Sequence, residues 1–181
     1  MRILLTSLSI WLAVLLQATL ANAQETQETP SRPVNACEND PHFNDFDFWL
    51  GTWRVTAKAN GQHAGDNVIT KIEANCAVQE NWTTAGGGTG MSLNYYNPKT
   101  GKWRQLWISA PGYLIDIEGG LVDNAMVLEG TVMAYGDGIE HAFRGTWTPL
   151  KDGTVRQFFE QYSEETKTWQ PWFDGIYTRN E

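Results

Sequence analysis

The chain has 181 residues, 13 of them basic and 21 acidic, for a net charge of −8. An acidic surface without a basic stripe repels phosphate backbones and anionic membrane faces, which excludes nucleic acid as an expected partner. The length suits one domain with a sizeable core, and not two.

Residues 1–23 hold one basic side chain, Arg2, then the apolar run Ile3 to Leu16, then Ala21-Asn22-Ala23 before Gln24. This is the pattern of a secretory signal peptide with an A-x-A cleavage site. The alternative, a membrane anchor, would need roughly 20 apolar residues, more than the run supplies. No other segment is long and apolar enough to span a membrane. The expected location after cleavage is therefore secreted or periplasmic, and loss of Arg2 makes the mature chain still more acidic. Residues 24–40 begin with QETQETPSRPVNA, polar and free of aromatics, and read as a flexible leader that buries too little to order itself. The domain proper is expected over 41–181, opening on a helical turn within Pro41 to Phe48 that plugs one end.

The mature chain has two cysteines, Cys37 and Cys76. Export places them where a disulfide persists, and closing a loop of about 40 residues would contribute roughly 4 kcal/mol in the chain-entropy model. The rival reading is a lipid-modified Cys37, since Val34-Asn35-Ala36-Cys37 has a faint lipobox character, although it lies well beyond the apolar run. Two cysteines without clustered histidines make a poor zinc site, and no metal is expected.

From Trp49 onward, short stretches of β-branched and aromatic residues are cut at even intervals by Gly, Pro, Asn and Asp. The breaks are Asn60-Gly61 through Asp66-Asn67, Asn75, Gly86 to Gly88, Asn97 to Gly101, Pro111-Gly112, Gly119 to Asn124, Gly136 to Gly138, Lys151 to Gly153 and Glu164 to Lys167. They predict about ten strands. The connections are too short for helical crossovers, so neighbours pair as antiparallel hairpins, and a meander this long closes to remove its edges. Trp103, Gln105 and Trp107 share one strand face, with Arg104, Leu106 and Ile108 on the other. The stretch Val155 to Tyr162 mixes aromatic and polar residues on both faces.

The run Phe46-Asp47-Phe48-Trp49-Leu50-Gly51-Thr52-Trp53 contains a G-x-W that resembles the start of the calycins, the lipocalin and fatty-acid-binding barrels. Together with Gly101-x-Trp103 and the terminal Phe173-Asp174-Gly175-x-Tyr177-x-Arg179, it is similar to a group of secreted bacterial lipocalin-like proteins. The resemblance implies an all-β, lipocalin-like barrel in which Trp53 closes one end with Arg179 lying across it. It implies no activity. Nitrobindins begin in a similar way and hold haem through a histidine, so haem, with His141 in a strand as one candidate, is the one alternative to an absent cofactor.

All of the nine tryptophans except Trp11 lie in the mature chain. Core packing accounts for Trp49, Trp53 and Trp147; a pocket of flat amphipathic rings accounts for Trp82, Trp103, Trp107 and Trp172. Polar residues inside strands form the second signal: Glu80, Gln105, Asp116, Glu118, Arg144, Gln157 and Glu160. Facing outward they are merely solvated; facing inward they must bond one another or a ligand. The candidate ligand-binding set is thus Trp82, Trp107, Trp172, Gln105, Glu80, Arg144, Gln157 and Glu160. Ala85-Gly86-Gly87-Gly88-Thr89-Gly90 lacks the Lys and the helix of a phosphate loop and reads as a hairpin turn.

These features predict an exported protein that holds a small apolar or aromatic molecule inside the barrel. One alternative is a barrel enzyme, an isomerase or hydrolase, using inward carboxylates such as Glu80 or Glu160 with Arg144. The other is a Trp-rich interaction or glycan-binding module. Two or more inward carboxylates around a cavity would favour the enzyme, and a filled barrel with exposed Trp would favour the module.

Overall fold

The structure, a computed structural model, describes residues 35–110 and 112–180. The expected signal peptide, residues 1–23, and the leader as far as residue 34 lie outside the described residues.

The strands are β1 (Gly51–Ala57), β2 (His63–Ile72), β3 (Ala77–Thr84), β4 (Thr89–Asn97), β5 (Lys102–Ser109), β6 (Tyr113–Val122), β7 (Ala125–Ala134), β8 (Glu140–Pro149), β9 (Val155–Ser163) and β10 (Thr168–Arg179). Each pairs antiparallel with the next, and β10 returns to β1, so the ten-stranded meander is a closed barrel, compatible with a calycin or lipocalin-like fold. Closure leaves no strand edge unpaired, the physical reason for expecting it. Among the described residues, no helix is long and apolar enough to cross a membrane.

Two expected breaks are narrower than their composition suggests. Gly65, Asp66 and Asn67 belong to β2, because Asn67 points inward to polar partners and Gly65 leaves room for Trp82 on the neighbouring strand. Similarly, β6 runs on to Val122, and the turn is only Asp123-Asn124, with φ of 47° and 69°. A two-residue hairpin of this hand needs positive φ at both positions, which Asp and Asn tolerate.

The start of the described chain forms the plug. Asn35 caps the short helix α1 (Ala36–Asn39), its side-chain oxygen accepting from the Cys37 amide at 3.1 Å. Cys37 is bonded to Cys76, the residue before β3, so the end of the expected leader is fastened to the barrel. Two 3-10 turns follow, Pro41–Asn44 and Asp47–Trp49, and they bury Phe43 and Trp49. Phe46 stacks on Trp49 at 4.9 Å and meets Trp103 and Trp147 edge to face at 5.7 and 5.2 Å. Two indole N–H groups fix the plug to the wall: Trp53 donates to the Trp49 carbonyl at 2.8 Å and Trp103 to that of His42 at 3.1 Å.

Barrel closure brings Trp53 opposite Arg179. The guanidinium lies 4.3 Å from the indole centroid and donates to the Leu50 carbonyl at 3.1 Å. Gly51 has φ of 138°, and a Cβ there would run into Arg179 Nη1, so the glycine of the G-x-W clears the path of the arginine. The exposed cation over the buried ring contributes about 0.5–1 kcal/mol. Arg179→Ala is therefore expected to lower the melting temperature by a few degrees and to leave the far end of the barrel unchanged; an unaltered melting curve would show that the contact stabilises nothing.

Candidate functional site

Along β2 to β5 the usual polarity of a sheet wall is reversed. Ser92 and Asn94 point into the barrel while Met91 and Leu93 stand outside, each 40% exposed. Gln105 is buried while Leu106 and Ile108 are exposed, and Asn67 is buried while Val68 is exposed. Slipping each strand by one residue would exchange the faces and bury the aliphatic set. The polar residues are held inside instead, and they form a connected belt.

Glu80 is the centre of that belt. It is 3% exposed. Its Oε1 accepts from Asn67 Nδ2 at 2.7 Å and its Oε2 from the Ser92 hydroxyl at 2.7 Å. Asn94 donates to Ser92 Oγ at 2.8 Å and to the Val78 carbonyl at 3.1 Å, and Gln105 donates to Asn94 Oδ1 at 2.8 Å. On the far wall the Tyr177 hydroxyl donates to Gln157 Oε1 and receives Asn67 Nδ2 at 3.3 Å. All these partners are neutral. Among the described residues no ion pair involves Glu80, and its burial pushes the carboxyl pKa up, against the bonds from Ser92 and Asn67 that lower it. Burial, reinforced by the nearby Glu80 carboxyl, also drives the Tyr177 phenol well above its ordinary value, so it remains a neutral donor. Two belt acceptors, Asn67 Oδ1 and Gln105 Oε1, have no donor.

The belt separates two aromatic layers. Below it lies the plug, where Trp49, Trp53, Trp103 and Trp147 are fully buried. Above it, towards the end of the barrel opposite the plug, is a cavity of about 310 Å³. Trp82, Trp107, Phe159, Trp172 and Phe173 are its main walls, and Glu80, Gln157 and Tyr177 are its polar corner. Trp172, 39% exposed, stands at the mouth, meeting Tyr113 at 5.8 Å and Phe143 at 5.5 Å. A bulge in β10 between Pro171 and Phe173 lets two successive aromatics, Trp172 and Phe173, both border the cavity.

Glycines seat the rings. A Cβ on Gly65 would fall 2.5 Å from Trp82 Cη2, and one on Gly90 would fall 2.6 Å from Trp107 Cζ2. Each indole occupies the space a side chain on the adjacent strand would have filled, which holds it back against the wall and keeps the lumen open.

Of the sequence candidates, Trp82, Trp107, Trp172, Glu80 and Gln157 border the cavity. Gln105 shares their inward face but sits one layer deeper, inside the belt, and does not border it. Arg144 and Glu160 are corrections. They lie opposite one another on the outer face of β8 and β9, paired at 2.7 Å, with the guanidinium 4.5 Å from the Trp169 ring. Their strand neighbours Phe143 and Phe159 take the inward positions, and a charge pair is cheaper to keep where water reaches it. Asp116 and Glu118 are likewise outside, paired with Arg104 and Lys102. None of the three histidines borders the cavity: His42 is in the plug, His63 pairs with Asp66 and His141 lies outside the mouth, so no histidine is placed there to hold haem. Among the described residues no cluster of three or more His, Cys, Asp or Glu could hold a metal.

Sequence reasoning missed Asn67, Ser92, Asn94 and Tyr177. The signal was present in Met91-Ser92-Leu93-Asn94, which alternates strictly, but alternation alone assigns the apolar set to the interior. Asn67 was hidden in a segment that reads as a turn. A scan against protein-family models finds none that matches this chain, and a search of curated proteins finds no match either.

Proposed function

We propose that the protein binds a small, mostly apolar or aromatic molecule in the open end of the barrel, without converting it, after export from the cytoplasm. The observation that carries this reading is the cavity of about 310 Å³ walled by aromatic rings with one polar corner. Its size falls at the lower end of ligand pockets, about 300–1,000 Å³, and its make-up is the usual one: apolar walls and a few polar groups that orient the guest. Among the described residues Glu80 is the single carboxyl bordering it, which favours a binder over an enzyme needing paired carboxylates. Apart from Trp169 on the outer face, the tryptophans among the described residues face the barrel interior or its mouth, which favours a binder over a surface interaction module. The Cys37–Cys76 disulfide supports a place of action in an oxidising compartment, secreted or periplasmic, and the G-x-W start supports kinship with the secreted lipocalin-like group.

Calorimetric titration with 1-naphthylmethanol, a neutral aromatic probe small enough for the cavity, tests the reading. Saturable binding at one site is expected. Trp107→Ala should weaken it by at least about fivefold, since truncating an aromatic anchor commonly costs more than about 1 kcal/mol. Trp169→Ala, on the outer face, should leave it within about twofold. No saturable binding, or an equal loss in the Trp169 variant, would reject the cavity as the site.

A further inference from the structure

We propose that the cavity is a site for an organic cation, a protonated amine on an apolar body, whose N–H groups meet Glu80 while the body lies among Trp82, Trp107 and Phe159. The inference rests on the cavity being a small-molecule site, and it specifies the chemical class of the guest.

The first argument is what a carboxyl adds at position 80. At the other long polar positions of the lumen the chain uses amides: Asn67, Asn94, Gln105 and Gln157, all buried. An amide at 80 would also bond Ser92 and Asn67 and would avoid burying an ionisable group. The property a carboxyl has and an amide lacks is its charge, and a buried charge is retained where something pairs with it. Among the described residues there is no such partner. The groups that face Glu80 are Asn67 from β2, Ser92 from β4, Gln157 from β9 and Tyr177 from β10, and none of them is cationic.

The second argument is the count of donors and acceptors. At the cavity's polar corner the Glu80 carboxylate offers about four acceptor sites, and Asn67 and Ser92 occupy two of them. A guest with N–H groups can fill the rest; an anionic or acceptor-only guest cannot.

The third argument concerns the walls and the field. Indole and phenyl faces attract cations as well as apolar groups, so Trp82, Trp107 and Phe159 accept both ends of an aryl or alkyl amine. The chain's net charge of −8 draws cations towards the mouth and repels anions.

Proton linkage follows. Burial raises the Glu80 pKa, so the carboxyl holds its proton to higher pH than a free glutamate does. An ammonium binds the ionised form and therefore displaces that proton to solvent whenever Glu80 is protonated beforehand. Amine affinity must rise with pH until Glu80 is ionised in the free protein, while the affinity of a neutral guest has no such rise.

Three probes with one body separate the cases: 1-naphthylmethylamine, which is protonated at neutral pH, 1-naphthylmethanol and 1-naphthoic acid, each titrated calorimetrically into the full folded protein. The amine is expected to bind at least tenfold more tightly than the alcohol, and the acid most weakly. In Glu80→Gln the amine should lose its advantage and bind no more tightly than the alcohol does in the same variant. Should that variant not fold, the native protein still decides. Amine titrations in two buffers of different ionisation enthalpy must show proton release below the Glu80 pKa, and affinity must rise with pH for the amine alone. Equal binding of alcohol and amine, an amine preference that survives Glu80→Gln, or amine binding without pH dependence or proton release would overturn the cation assignment while the cavity remains a binding site. Binding by none of the three probes would overturn the cavity reading and this inference with it.

Discussion

Trp147→Ala should destabilise the barrel by about 3–5 kcal/mol, the range for deleting a fully buried large aromatic. Trp147 is inaccessible to solvent and joins the two aromatic layers. It meets Phe46 at 5.2 Å and Trp49 at 5.6 Å in the plug, and Phe159 at 5.2 Å in the wall of the cavity. Its indole N–H has no acceptor, so truncation breaks no hydrogen bond and the loss is one of packing alone. Against a typical total of about 5–15 kcal/mol, the change is a large fraction of the stability. Urea unfolding followed by circular dichroism measures it. Trp169→Ala, whose ring lies on the outer face against Tyr162 at 5.5 Å, should cost less than about 1 kcal/mol in the same assay. Equal costs for the two variants would contradict the assignment of Trp147 to the core.

Removing the disulfide should be nearly as severe. The bond closes a loop of sequence separation 39 that contains β1 and β2, worth about 4 kcal/mol in the chain-entropy model. It also fastens α1 over the turn before β3, where Glu73, Ala74 and Asn75 have φ of 48°, 52° and 72° without a glycine among them. Such residues cost roughly 1–2 kcal/mol each in the left-handed region, so the turn persists because its surroundings hold it. Asn35 Nδ2, donating to the Ala74 carbonyl at 2.7 Å, is the second restraint on the same turn. For a domain of this size the double variant Cys37→Ser, Cys76→Ser should melt roughly 8–16 °C lower than the oxidised protein. Differential scanning calorimetry reads the shift directly, and a drop of only a degree or two would show that plug packing alone holds α1 in place.

The candidate site was only partly legible in the sequence. Trp82, Trp107 and Glu80 stood out because a large ring or a charge within a strand is unusual wherever it faces. Ser92 and Asn94 did not, because small polar residues alternating with Met91 and Leu93 describe an ordinary half-solvated strand with the aliphatic side inside. Arg144 and Glu160 drew attention for the same reason as Glu80, yet they form a solvated pair outside. Sequence spacing places Arg144 and Glu160 on strands without stating on which side of the wall those strands show their even-numbered residues.

The number of strands, their antiparallel order and the plug were legible in the residues alone, and the cysteine pairing was the favoured of two readings. These depend on local chemistry: turn residues at short intervals, hairpin-length connections, a proline-led aromatic segment, and two thiols with only each other as partners. The tertiary structure decided which face is inside. A strand with Trp103, Gln105 and Trp107 on one side and Leu106 and Ile108 on the other can bury either set, since each contains large apolar side chains. The choice is made only when β10 closes on β1 and every register is fixed at once: Trp53 opposite Arg179, Ser92 beside Glu80, and Trp107 seated against Gly90. Register in a closed barrel is a property of the whole ring of pairings, and no single strand carries it.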